Sequence, residues 1–322
     1  LTVSKETWQK MNKDITSRSL TLSRKIKFPF TLFLIITTII TNGGISFAKG
    51  NFSILSQIED LSKYPKNEIV FLDSRSTFKF LLGHIPGAVH LPNWKDFTET
   101  RNGVPGLIIQ NLSVLADKIA DLGIDKNKKI VIYGDPQDPW RTDGRFLWMF
   151  HYLSFENISI LEGGADLWQK KGNKIERGRG SKIIKTKLTA SDIQLNSSVI
   201  ANRKWIGDRL GDSNLSIIDT RTLKEFKGST PYGSQKGGHI PGAVHIDWRD
   251  FFNEEGLLKS RNTLVGTLER YNITANKEVV VYCTGGVRSA MAYFVLKYLG
   301  FKTRNYDGSW WDWSSAKLPA EL

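Results

Sequence analysis

The sequence predicts an α/β fold made of two tandem domains, each a mostly parallel sheet with helices on both faces. Three observations predict it. Four segments recur in the same order: IVFLDSR, GHIPGAVHLPNW, KKIVIYGD and ISILEGGADLW between Ile69 and Trp168 are followed by LSIIDTR, GHIPGAVHIDW, KEVVVYCTGG and TRNYDGSWWDW between Leu215 and Trp313. Short unbroken apolar runs rich in β-branched residues (IVFLD, KIVIY, ISILE, SIID, EVVVY and Lys302 to Tyr306) suit strands buried on both faces of a parallel sheet. Between them, LSVLADKIADLGI (Leu112 to Ile124) and SAMAYFVLKYLGF (Ser289 to Phe301) have helical periodicity and close on Gly123 and Gly300, residues suited to a left-handed cap.

A chain of 322 residues has room for two such domains, each with its own core. Two copies fall short of a solenoid, which takes roughly three or more repeats. The expected division is a first domain over 49–165, a linker over 166–189 and a second domain over 190–322. The linker assignment rests on QKKGNKIERGRGSKIIKTK, rich in Lys, Arg and Gly and without a packable pattern. GHIPGAV reads as a turn entering a strand, with Pro and Gly fixing the backbone. His84 and His239 within it read as hydrogen-bonded structural groups.

Residues 1–48 read as an export signal. FPFTLFLIITTII (Phe28 to Ile40) follows Arg24, Lys25 and Lys27 and is shorter than the about 20 apolar residues of a comfortable membrane span. Ser46 and Ala48 put small residues at the −3 and −1 positions of a cleavage site before Lys49. The expectation is an exported protein, in a bacterial periplasm, with no stable membrane insertion after cleavage. Without cleavage, the same segment would serve as a membrane anchor.

Net charge is +13, but the basic residues form no stripe, so nucleic acid is not an expected partner. A positive field does draw small anions to a suitable cleft. The single cysteine, Cys283, excludes an intrachain disulfide and a thiolate-rich zinc or iron–sulfur site. No metal or organic cofactor is implied.

Cys283 follows the strand VVVY and precedes a helix, at the carboxyl edge where open α/β sheets bind ligands. The loop Cys283-Thr284-Gly285-Gly286-Val287-Arg288 has two glycines able to take positive φ. It can turn its amides on a central anion beside a helix N-terminus. Such a nest lowers a thiol pKa and holds a persulfide, and Arg288 at the rim adds a charge for an anionic substrate.

Taken with Asp219 to Arg221, Gly238 to Ala243 and Asp307 to Trp310, this loop makes the chain resemble the tandem-domain rhodanese family over nearly everything after the signal. The resemblance implies two rhodanese-like domains and sulfur transfer through Cys283. The first domain would be a scaffold, since Gly134 aligns with Cys283. It also implies that Asp219 and Arg221 orient the loop through ion pairs, and that Trp310 lines the cleft. Related phosphatases resemble Cys-x5-Arg, whereas Arg288 lies five residues after Cys283, a shorter loop that suits sulfur transfer.

The implied partners are a small anionic sulfur donor, thiosulfate, and an acceptor, cyanide or a thiol. Mercaptopyruvate-type members resemble Cys-Gly-Ser-Gly-Val-Thr, with a carboxylate-binding arginine where Glu225 stands here. Both departures lean towards thiosulfate, although Lys236 in the insertion Ser229 to Gly237 lies close enough in sequence to compensate. A 3-mercaptopyruvate sulfurtransferase and a sulfur carrier without turnover are the alternatives.

Overall fold

The computed structural model describes residues 53–316 and 318–322, so the expected export signal lies outside the described residues. The first repeat runs β1 (Leu55–Ser56), α1 (Ile58–Leu61), β2 (Ile69–Asp73), α2 (Thr77–Leu82), β3 (Val89–His90), β4 (Thr98–Arg101), β5 (Val104–Ile108), α3 (Leu112–Asp121), β6 (Lys129–Tyr133), α4 (Thr142–Tyr152), β7 (Ile158–Leu161) and α5 (Gly164–Lys170). The second runs β8 (Ile200–Ala201), α6 (Arg203–Gly207), β9 (Leu215–Asp219), α7 (Leu223–Phe226), β10 (Val244–His245), α8 (Arg261–Glu269), β11 (Glu278–Tyr282), α9 (Arg288–Leu299), β12 (Lys302–Tyr306) and α10 (Ser309–Ser315).

Each repeat has a five-stranded sheet in which every pairing is parallel. The orders β1-β7-β6-β2-β3 and β8-β12-β11-β9-β10 are the same topology. The antiparallel hairpin β4–β5 stands apart from both sheets, in the first repeat. No helix among the described residues is long and apolar enough to cross a membrane.

The central strands are apolar without interruption because both faces are covered. In β11, Val279 and Val281 face one core while Val280 and Tyr282 face another. In β6, Ile130 and Ile132 join the first of these cores, and Val131 and Tyr133 a separate one. The inner faces of the two sheets therefore feed a single core, filled by α4 and α9. Helix α4 leaves little periodic signal in the sequence, because TDGRFLWMFHY is buried on nearly every side and has no polar stripe to mark its period.

The duplicated motifs build the same clamp twice. In GHIPGAV, Ala88 N donates to Ile85 O at 2.9 Å with Gly87 at φ +75°, and Ala243 N donates to Ile240 O at 3.0 Å with Gly242 at φ +72°. Proline at the second position and a left-handed glycine at the third make this a type II turn. Arg221 donates to both oxygens of Asp219, and to Gly238 O at 2.7 Å. Tyr282 Oη donates to Asp219 at 2.7 Å and accepts from Ile240 N at 3.1 Å. Arg75, Asp73, Gly83 O, Tyr133 and Ile85 repeat the arrangement in the first copy. His84 and His239 stack on Phe80 and Phe226 with centroids 3.9 and 3.7 Å apart, and their Nδ1 atoms sit against the Phe80 and Phe226 carbonyls.

The stretch 166–189, read from sequence as a linker, lies along the first repeat. Helix α5 crosses residue 165. Glu176 and His84 then exchange backbone hydrogen bonds of 2.8 and 2.9 Å, as His239 and Glu321 do in the second repeat. Thr186 N donates to Ala120 O at 3.1 Å. A lack of apolar pattern concealed an edge held by main-chain bonds, which need no particular side chain.

Helices α4 and α9 cross so closely that a Cβ on Gly144 would lie 2.6 Å from Met291 Cα. Backbone cannot yield there as a flexible side chain would. Gly144→Ala is expected to destabilise the chain by about 1–3 kcal/mol, read as a lower urea midpoint with an unchanged slope.

Candidate active site

The register of β11 on β9 pairs Tyr282 with Asp219, and that of β6 on β2 pairs Tyr133 with Asp73. Cys283 and Gly134 are thus equivalent positions, each one residue beyond the carboxyl end of a central strand. A Cβ at Gly134 would lie 2.8 Å from Asp143 Cγ, and Asp143 is itself paired with Arg141 at 2.9 Å. The place of a nucleophile in the first repeat is occupied by a carboxylate.

Cys283 is buried, in a tight loop whose backbone is held by α10. Cys283 N donates to Ser309 Oγ at 3.1 Å, and Ser309 Oγ donates to Tyr306 O at 2.7 Å. Trp310 N and Trp311 N, free donors at the start of α10, find Cys283 O at 3.0 Å and Thr284 O at 2.9 Å. This explains D-G-S-W as a cradle for the cysteine loop. The two glycines have different reasons. Gly286 has φ +75°, whereas a Cβ on Gly285 would lie 2.2 Å from the Trp311 ring. Val287 is the cap residue before α9.

The Cys283 sulfur lies 3.6 Å from Ser289 Oγ, which lies 2.6 Å from Asn305 Oδ1. The hydroxyl has one proton, so it serves Asn305 or the sulfur, not both at once. Burial works against ionisation of the thiol. The Arg288 charge, the Ser289 N–H and hydroxyl and the Gly285 N–H outweigh it and lower the pKa below that of an ordinary cysteine.

Arg288 is not the free cation at the rim that the sequence suggested. It is buried, with Nη1 on Glu225 Oε2 at 2.9 Å, Nη2 on Glu225 Oε1 at 2.8 Å and Nη2 on Thr284 Oγ1 at 2.7 Å. Thr284 Oγ1 donates in turn to Glu225 Oε1 at 2.8 Å. Glu225 is fixed by a capping box with Thr222 at the start of α7. The signature Thr-x-x-Glu over 222–225 is the local sequence mark of this arrangement. In the first repeat the positions of Glu225 and Thr284 hold Lys79 and Asp135, which also pair.

Asp219 and Arg221 direct their side chains to the GHIPGAV turn and to Tyr282 rather than to the loop, so the ion-pair role that the resemblance implied falls to Glu225. Trp310 does not line the cleft. It is fully buried, stacked under Arg221 at 4.7 Å, with Nε1 on Lys236 O at 2.9 Å. Its neighbour Trp311 takes the expected place, because one residue along a helix turns a side chain by about 100°. Lys236 does not reach the site either: its ammonium is held by Leu318 O and Ala316 O.

Cys283 opens on a cavity of about 810 Å³ between the repeats. The first repeat contributes Arg75 after β2, His90 at the end of β3, Trp94 and Lys95 in the turn that follows it, and the loop carrying Trp140. The second contributes the cysteine loop, Trp311 and Tyr232 from the insertion. Trp140 and Tyr232 meet edge to face at 5.3 Å, and both rings approach the Arg288 guanidinium, at 5.6 and 5.4 Å. Neither was singled out from sequence, where a lone aromatic in a loop carries no signal.

The model of the rhodanese-like domain matches residues 57–171 and 202–316. The chain belongs to the rhodanese-like family, as two domains in tandem. It is 30% identical over 264 residues to the thiosulfate sulfurtransferase of Azotobacter vinelandii, covering 79% of this chain and 92% of that one. It is 31% identical to the thiosulfate sulfurtransferase of Corynebacterium glutamicum, over 74% of this chain and 80% of that one. A Thermus thermophilus relative, 29% identical over 72% of this chain and 83% of that one, is named a sulfur carrier protein. Among solved structures, SseA from Escherichia coli shares the fold with a TM-score of 0.69 at 23% identity, covering 80% of this chain and 99% of that one.

The Glu225 carboxyl is costly to bury, yet Arg288 and the Thr284 and Thr222 hydroxyls pull its pKa down from 4.5 to about 2. A pKa lowered on folding stabilises the native state above the unfolded value and ceases to do so as pH falls through the folded one. The contribution, on the order of 3 kcal/mol at most, is thus present at pH 7 and lost between about pH 4.5 and pH 2. Glu225→Gln is expected to lower stability at pH 7 and to approach the parent protein as pH falls through that window, read from urea unfolding of both at each pH.

Proposed function

We propose that this rhodanese-family chain is a sulfurtransferase that accepts the outer sulfur of thiosulfate on Cys283 and passes it to cyanide or a thiol. The observation that carries the reading is a thiol of lowered pKa at the floor of a cavity between the repeats, surrounded by backbone amides and one fixed guanidinium. The Cys283 thiolate attacks the outer sulfur of thiosulfate. The S–S bond breaks, its electron pair leaves on sulfite, and a Cys283 persulfide remains. Cyanide or a thiolate then attacks the terminal sulfur, and the Cys283 thiolate departs with the electrons of the enzyme S–S bond. This is covalent catalysis in two half-reactions.

One feature favours thiosulfate over 3-mercaptopyruvate: Glu225, committed to Arg288, stands where mercaptopyruvate-type members carry a carboxylate-binding arginine. Lys95 lines the cavity, exposed and outside the ion pairs of the described residues, where it suits the sulfonate end of a donor. One observation favours carriage without turnover, namely the sulfur-carrier name of the Thermus thermophilus relative.

Thiocyanate formation by the mature protein and by Cys283→Ser, with thiosulfate and with 3-mercaptopyruvate, separates these readings. Turnover with thiosulfate, abolished by Cys283→Ser, is the expected result. A persulfide detected without turnover supports the carrier, and absence of any persulfide overturns both. Lys95→Ala is expected to raise KM for thiosulfate about three- to fivefold with kcat nearly unchanged, as for one partly exposed charge contact.

A further inference from the structure

Arg145, on the repeat that has no cysteine, reaches the cysteine loop of the other. Its Nη1 donates to Gly286 O at 3.2 Å, its Nη2 donates to Gly106 O at 2.9 Å, and Nη2 lies 2.7 Å from Asp307 Oδ1. The guanidinium is buried between Trp94 and Trp148, 5.6 and 4.6 Å from their centroids, and its Nε has no hydrogen-bond partner. A charge held so far from water, with one donor unused, is an expensive element. Gly286 O also accepts from Asn305 Nδ2 at 3.1 Å, so this carbonyl is gripped from both repeats.

The grip acts on the one loop glycine with positive φ. A Cβ on Gly286 would lie 2.5 Å from Asp307 O and 2.9 Å from Arg145 Nη1, so the position must remain glycine. Glycine leaves the adjoining peptides free to rotate unless something fixes them. A planar trans peptide points its N–H opposite to its C=O. With Gly286 O drawn towards Arg145, the Val287 N–H faces away from Arg145.

We infer that Arg145 is a positioning residue of the active site, through which the cysteine-less repeat fixes the Gly286–Val287 peptide and with it the loop that encloses Cys283. The inference rests on the sulfur-transfer reading of Cys283, but its first test does not. The rate of Cys283 alkylation by iodoacetamide against pH reports the thiolate whether or not sulfur is transferred.

Arg145→Lys keeps the charge for Asp307 but cannot also span Gly286 O and Gly106 O with a planar fork. It is expected to shift the alkylation profile to higher pH and to lower kcat for thiocyanate formation about tenfold, with KM for thiosulfate little changed. Tyr293→Phe is the control: it removes the 3.0 Å His151–Tyr293 hydrogen bond across the same α4–α9 contact without touching the loop, and should leave both readouts unaltered. If lysine prevents folding, Arg145→Gln supplies the same comparison without a buried ammonium. A folded Arg145 variant with the parent profile and kcat overturns the inference, as does an equal loss in Tyr293→Phe. Parent protein that alkylates at a lowered pH yet yields no thiocyanate overturns the sulfur-transfer reading and leaves the positioning role standing on the alkylation result.

Discussion

The crossing of α4 and α9 at Gly144 and Met291 is the constraint on which the site depends. It leaves no room for a side chain at Gly144, so the first turn of α4 lies against the first turn of α9. One residue on from Gly144, Arg145 meets Gly286 and Asp307. The loop before α4 brings Trp140 over Arg288. A looser crossing would separate all of these contacts together, because each is made by residues within one turn of the same contact point.

The electrostatics of the loop are a balance rather than a simple accumulation of positive charge. Arg288 lowers the Cys283 pKa, while Glu225 holds the same guanidinium and offsets part of its field. Aromatic rings close the outer side, which limits water and strengthens each remaining interaction. In the first repeat, Lys79 and Asp135 stand at the positions of Glu225 and Thr284 and form an ion pair of their own. The scaffold therefore asks for a pair at this point, and only the second repeat combines that pair with a thiol.

Much of this was legible in the sequence, and the omissions have physical reasons. The strands were visible because burial on both faces leaves continuous apolar runs, and the duplication fixed their equivalence. Cys283 and its loop were visible because glycine beside cysteine at a strand end has few other uses. Helix α4 was hidden by the completeness of its burial. Arg145 was hidden with it, since nothing local indicates that a basic residue in a buried helix reaches a loop 141 positions away. Trp310 was misplaced against Trp311 because the motif gives the order of the residues but not the direction each faces from a short helix. Orientation of the loop was expected from Asp219 and Arg221 by resemblance, whereas the capping box that presents Glu225 was a better local clue.

The core shared by the two sheets bears on how the chain comes to be folded. The described residues from Ser53 onward fall in one compact unit, and α4 and α9 cover part of each other's apolar surface, the rest lying against their own sheets. A core common to both repeats makes each half part of the other's interior. The cysteine loop gives Gly286 O to Arg145 of α4, so its folded form draws on both halves of the chain. The setting of the thiol is in that sense a property of the assembled pair and not of the repeat that carries it.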